Sequence, residues 1–75
     1  MTVLFFGPLA EITGSTKIEF DHTPDTATLM EQILLRFPAL KRIKVQLALN
    51  QEVVTESKVI TEGDELALLA PFAGG

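Results

Sequence analysis

Two kinds of apolar pattern divide this chain. Val3-Leu4-Phe5-Phe6 and Leu66-Ala67-Leu68-Leu69 are apolar without interruption, whereas Thr16-Lys17-Ile18-Glu19-Phe20 alternates polar with apolar. Successive side chains of a strand point to opposite faces, so the alternating segment predicts a strand with one wet face. The unbroken runs predict strands that are apolar on both faces. Lys44-Val45-Gln46-Leu47-Ala48-Leu49 predicts a further strand. Asn50-Gln51 then makes a tight turn, asparagine tolerating positive φ, and Glu52-Val53-Val54 pairs back. A second turn at Glu62-Gly63-Asp64 precedes the last strand, and Ser57 to Thr61 reads as a connector that could hold a helical turn.

Between these strands the period changes. Leu29, Met30, Ile33, Leu34 and Phe37 fall within about 140° of one face at 100° per residue, the stripe of a helix lying on a sheet. Leu35 points off that stripe. Thr28-Leu29-Met30-Glu31 has the form of a capping box that starts the helix, and Pro38 ends it at Phe37. Pro8-Leu9-Ala10-Glu11-Ile12-Thr13-Gly14 predicts a short helix, with proline in its first turn and glycine just past its end.

The predicted order is strand, short helix, strand, long helix, hairpin, strand, tail: a two-layer α+β domain of five strands and one main helix. One helix covers only one face of a sheet. If the first and last strands are central and adjacent, their second faces stay uncovered unless loops or the short helix reach them. Alternation puts Phe6 and Leu69 on that uncovered side, with Val53 of the hairpin nearby.

Composition narrows the uses of such a body. Seventy-five residues make one domain, residues 1–70, followed by a flexible tail at 71–75. The hydrophobic fraction is 47%, a large load for a small core, so part of it is expected on the surface as an interaction patch. Without cysteine and with a single histidine, His22, neither a disulfide framework nor a zinc site of the usual kind is available. The apolar N-terminal run is too short for a signal peptide or a membrane span, so a soluble, cytoplasmic protein is expected. A net charge of −4 argues against nucleic acid or an anionic membrane as partner. Four of the six basic residues fall between Arg36 and Lys44, while the segment from Glu52 onward holds five acids and one lysine. The acidic half leads into the tail, so a tail-binding partner is expected to be basic.

No catalytic constellation stands out. Ser15, Asp21 and His22 are sequence neighbours, which is not the geometry of a triad in a protected cleft. Asp64 and Glu65 are adjacent on a strand and point to opposite faces, so they form no acid/base couple. There is no glycine-rich phosphate loop. The chain is expected to bind no cofactor and to catalyse nothing by itself.

The tail, Ala70-Pro71-Phe72-Ala73-Gly74-Gly75, suggests another use. Five extended residues reach roughly 17 Å, at 3.3–3.6 Å each. Glycines at the last two positions present no side chain to a narrow channel, and Pro71 stiffens the root. Such a tail can deliver a carboxylate into another protein's site. The carboxylate is ionised at neutral pH, with a pKa of about 3.5, and so resists nucleophiles until activated, for example as an acyl-adenylate. Nothing here binds ATP by a recognised motif, so the activating enzyme is a separate protein.

Val3-Leu4-Phe5-Phe6 followed by Leu9-Ala10-Glu11-Ile12-Thr13-Gly14, then Ala48-Leu49-Asn50-Gln51, then Glu62 to Leu69 running into Ala73-Gly74-Gly75, resembles the ubiquitin-like MoaD/ThiS β-grasp group. Within it the chain resembles the small, sulfur-carrying subunits of molybdopterin synthase, over nearly its whole length. The resemblance implies a ubiquitin-like β-grasp with a five-stranded mixed sheet, one main helix on one face and a short helix after the first strand. It further implies that Gly75 is adenylated by a ubiquitin-activating-type adenylyltransferase using ATP, then converted to a thiocarboxylate with sulfur from a sulfurtransferase. The tail from Ala70, through Pro71, Phe72, Ala73 and Gly74, would enter the large subunit of molybdopterin synthase. There the sulfur builds the dithiolene on cyclic pyranopterin monophosphate, within a heterotetramer. Phe6, Val53 and Leu69 match family positions on the apolar surface that docks the large subunit. One departure is that Ala70-Pro71-Phe72 stands where the family has two prolines and a small aliphatic residue.

Three alternatives stay open. The thiamine-pathway sulfur carrier shares the fold and the Gly-Gly, but is usually more compact between the first two strands, where this chain inserts a helix. A protein modifier would use Gly75 for isopeptide bonds. A non-covalent adaptor would use the apolar patch alone.

Overall fold

The computed structural model describes residues 1–70; Pro71, Phe72, Ala73, Gly74 and Gly75 lie outside the described residues. The elements are β1 (Thr2–Phe5), α1 (Pro8–Thr13), β2 (Lys17–Glu19), α2 (Thr26–Arg36), a 3-10 helix (Pro38–Arg42), β3 (Gln46–Leu49), β4 (Glu52–Val53) and β5 (Leu66–Leu69). The five strands form one mixed sheet in the order β2-β1-β5-β3-β4. β1 and β5 are adjacent and parallel, and every other pair is antiparallel. The first and last strands therefore meet in the interior of the sheet, as the two unbroken apolar runs require.

Register decides which side chains are covered. Val3 is paired with Leu66 and Phe5 with Leu68, which in turn is paired with Leu47. All five are buried, beneath Leu29 and Ile33 of α2, Leu9 of α1 and Leu40 of the 3-10 helix. The Phe5 ring lies 6.4 Å from that of Phe20 and 6.1 Å from that of Phe37, closing one side of the core. Arg36, in the last turn of α2, spans the last two: its guanidinium lies 5.1 Å from the Phe20 ring and 5.6 Å from the Phe37 ring. The same group donates to the Glu19 carbonyl at 3.0 Å, so the helix end is tied to β2. Leu35, off the apolar stripe, is exposed.

Local signals account for most boundaries. Pro8 opens α1, and Gly14 closes it at φ 83°, its N–H donating to the Ala10 carbonyl. Asn50 and Gln51 both take positive φ, 51° and 70°, the conformation of a tight two-residue hairpin turn.

The start of the long helix departs from expectation. Thr28 is not its cap; α2 begins at Thr26, and the Asp25 carboxylate accepts from the Thr28 N–H at 2.8 Å. The cause is a distant segment. Thr26 N–H donates to the Lys58 carbonyl, Lys58 N–H donates to the Thr26 hydroxyl, and Ile60 N–H donates to the Pro24 carbonyl. These bonds hold Asp25 extended, so the helix can begin at the next residue. They also make the connector at 57–61 an extended segment rather than a helical turn, with Val59 bridged to Asp25. The 3-10 helix after Phe37 is not expected from the periodicity, which ends at Pro38; Pro38 occupies its first position.

Candidate functional site

With α2 and α1 on one face, the other face of the sheet is open. Alternation from the buried positions places Leu4, Ala67, Ala48 and Val53 on it as one cross-strand row, since Leu4 is paired with Ala67, Ala67 with Ala48 and Ala48 with Val53. Leu69, paired with Gln46, begins the next row, and continuing the β1–β5 register puts Phe6 beside Leu69. Phe6 is 50% and Val53 45% exposed, Leu4, Ala67 and Leu69 are half-buried, and Ala48 is buried. The structure thus brings Phe6, Val53 and Leu69 onto one apolar surface. It adds Leu4, Ala67 and Ala48, which the sequence reading missed; the strand period of two could have found Leu4 and Ala67, two residues before Phe6 and Leu69, whereas Ala48 needed the register.

The end of β5 decides where residues 71–75 leave the body. β1 and β5 run parallel, so β5 ends where β1 gives way to Phe6, Gly7 and α1. Ala70 is half-buried and packs against the core. The other tail positions, Pro71, Phe72, Ala73, Gly74 and Gly75, lie outside the described residues. Because Gln46 is paired with Leu69, the segment entering β3 lies at this same end, with exposed Lys41, Arg42 and Lys44. The acids that lead into the tail along the chain therefore do not flank Ala70 in space. Glu62, Asp64 and Glu65 precede β5, and the strand carries the chain away from them by roughly 13 Å at 3.3 Å per residue.

A hydrogen-bonded latch fixes that opposite end. Asn50 accepts from the Glu65 N–H at 2.9 Å through Oδ1 and donates to Asp64 at 3.1 Å through Nδ2. Its own N–H donates to the Glu65 carbonyl at 2.8 Å. Asp64 also accepts from the Thr61 N–H at 2.7 Å. That backbone bond first, then the Asn50 amide, hold the Asp64 carboxyl below the usual aspartate range. The Asn-turn and the Gly63-Asp64 turn are thus one joint, which aligns the β3–β4 hairpin with the start of β5.

The Ser15 hydroxyl donates to the Lys17 carbonyl at 2.7 Å, and His22 is exposed in a loop. A broad depression of about 1010 Å³ at the latch end is lined by Lys17, His22, Glu62 and Asp64, among others. Among the described residues no three His, Asp or Glu side chains are grouped to hold a metal ion. Also among them, no helix is long and apolar enough to cross a membrane. What the geometry offers is an uncovered apolar face leading to the end of the body from which the Gly-Gly segment continues.

Known proteins share this plan. The ThiS family profile matches residues 3–75. The molybdopterin synthase sulfur carrier subunit of Arabidopsis thaliana is 34% identical over 77 residues, covering 97% of this chain and 80% of the relative. Among solved structures, the H. volcanii small archaeal modifier protein 1 superposes with a TM-score of 0.77 at 25% identity, covering 95% of each chain. A chain from the Helicobacter pylori complex of subunits 1 and 2 of molybdopterin-converting factor superposes with a TM-score of 0.69 at 29% identity, covering 99% of this chain and 96% of that one. The architecture is the ubiquitin-like β-grasp.

Proposed function

The chain belongs to the ThiS family, and on that premise we propose that it is the sulfur carrier subunit of a molybdopterin synthase. The observation that carries this reading is the open apolar face, with Phe6 and Val53 about half exposed, that runs to the end of β5. A face of this kind fits a protein partner, and the H. pylori relative is known in complex with a second subunit. The partner proposed here is the large subunit of molybdopterin synthase, in the cytoplasm, with the tail from Ala70 onward inserted into it.

The chemistry proposed for Gly75 follows from its carboxylate. The ionised group attacks the α-phosphorus of ATP in a separate adenylyltransferase, pyrophosphate leaves, and an acyl-adenylate forms. The terminal sulfur of a sulfurtransferase persulfide then adds to the acyl carbon and AMP departs; a second thiol cleaves the resulting acyl disulfide, leaving a thiocarboxylate and a disulfide, whereas free hydrosulfide gives the thiocarboxylate directly. The sulfur passes to cyclic pyranopterin monophosphate in the large subunit. A dithiolene holds two sulfurs, so two charged carriers are consumed per product. This chain contributes the handle and the acyl group; ATP and catalysis belong to its partners. Gly74 gives clearance, Pro71 limits the freedom of the root, and Phe72 and Ala73 span the distance between body and acyl group.

The test is an intact mass after incubation with the organism's activating enzyme, ATP and a sulfide source. A gain of about 16 Da, sulfur for oxygen, is the expected result of activated-acyl chemistry at Gly75. A ladder of heavier conjugates would instead favour the modifier reading, which the likeness to the archaeal modifier protein supports. The thiamine-pathway carrier would gain the same mass, but would not restore dithiolene formation when mixed with the large subunit.

A further inference from the structure

Alternation extends the open face past its apolar centre at both ends, and the two ends carry opposite charge. Lys44, two residues before Gln46, falls on the open side at the tail end and is exposed, with exposed Arg42 and Lys41 behind it in the 3-10 helix. Glu65, two residues before Ala67, falls on the same side at the latch end and is exposed, with Glu62 in the turn before it. We propose that the protein covering this face presents carboxylates against Lys44, beside the mouth that receives the tail, and a cationic group against Glu65. Charge then sets the direction in which the face is docked. This rests on the reading that a large subunit covers the face.

The apolar centre cannot set that direction alone. Burial of apolar surface is non-directional, and two short rows of Leu, Ala, Val and Phe offer similar area when turned by half a rotation. The turned docking would aim the tail away from its receiving site. Opposite charges separated by the length of β5 penalise it, because each would then meet its own sign. A second copy of this chain, packed antiparallel, would also match Lys44 to Glu65. Six side chains fall well short of the roughly 800 Å² per partner of a stable interface, however. A partner that also takes the tail gains the missing area, which favours a different protein as the occupant.

Association with the large subunit of the same organism, followed by stopped flow at low and high salt, tests this. Lys44→Glu and Glu65→Lys are each expected to slow association about tenfold at low salt, the difference shrinking as salt screens it. Lys58→Glu, on the helix side, is the control and should associate as the parent does. Phe6→Ala probes the face itself. If Lys44→Glu associates at the parental rate or faster while Phe6→Ala still weakens binding, the polarity is refuted and the large-subunit reading stands. If Phe6→Ala binds as the parent does, both fall. A carrier that dimerises alone and reverts to monomer on Phe6→Ala would show that a second copy covers the face, which also overturns the proposal. Lys44, Glu65 and Lys58 are all exposed, so melting curves of the three variants should match the parent and exclude misfolding as the cause.

Discussion

Truncating Phe6 to alanine removes apolar surface from the docking face while leaving the core intact. A phenylalanine side chain offers about 150–250 Å² to burial, and Phe6 is 50% exposed, so about 75–125 Å² remains to be covered by a partner. At about 25 cal/mol per Å² that area is worth about 2–3 kcal/mol. Lost on truncation, it corresponds to a Kd for the large subunit weaker by roughly 30- to 150-fold, at 1.4 kcal/mol per tenfold. Phe6 lies outside β1, and its carbonyl accepts from the Leu9 N–H at 3.2 Å, a bond that alanine keeps. The half already covered in the free protein has a similar area, so by the same rule truncation costs up to about 2–3 kcal/mol of folding stability, which urea unfolding reads separately. Isothermal titration at several temperatures reads both quantities: the affinity falls and the heat-capacity change on binding becomes less negative. A Kd within threefold of the parent, with the protein folded, would refute the assignment of this face.

Four further outcomes follow from the same geometry. Leu68→Ala and Leu69→Ala change neighbouring leucines on opposite faces: the first should cost 2–5 kcal/mol in urea unfolding, the second should chiefly weaken docking. Asn50→Ala loses the bonds to Glu65 and Asp64 and puts alanine at φ 51°, for a loss of about 2 kcal/mol. Asn50→Gly keeps the backbone freedom and separates the two causes. The carboxyls of Asp25, held by the Thr28 N–H, and Asp64, held by the Thr61 N–H, both titrate below their ordinary value. Each therefore contributes stability that is fully present above the unfolded value of about 3.9 and is lost as pH falls through the lower folded value. Asp25→Asn and Asp64→Asn should flatten that acid limb in pH-dependent melting. Deleting Gly75 should abolish the mass gain on sulfur loading and leave the melting temperature unchanged, since a glycine adds no side chain to any core.

The periods of 2 and 3.6, the asparagine turn, Gly14 after the short helix and the two-faced apolar strands were all legible in the chain, because each is a local consequence of side-chain direction and backbone freedom. They determined the elements, the α+β class and the fact that some apolar surface had to stay uncovered. Only tertiary structure decided which surface. The β1–β5 pairing joins residues more than sixty positions apart, and that register selects Leu4, Phe6, Ala67 and Leu69 for the open side. The helix start is decided in the same way: Thr28 looks like a cap in sequence, but backbone bonds from 58–60 hold Asp25 extended and give it the role. Charge shows the difference most clearly. Along the chain the acids lead into the tail, whereas in space β5 carries the chain away from them to the end where Lys44 lies, because a strand's two ends lie in different electrostatic surroundings and sequence order does not record which neighbours each end meets.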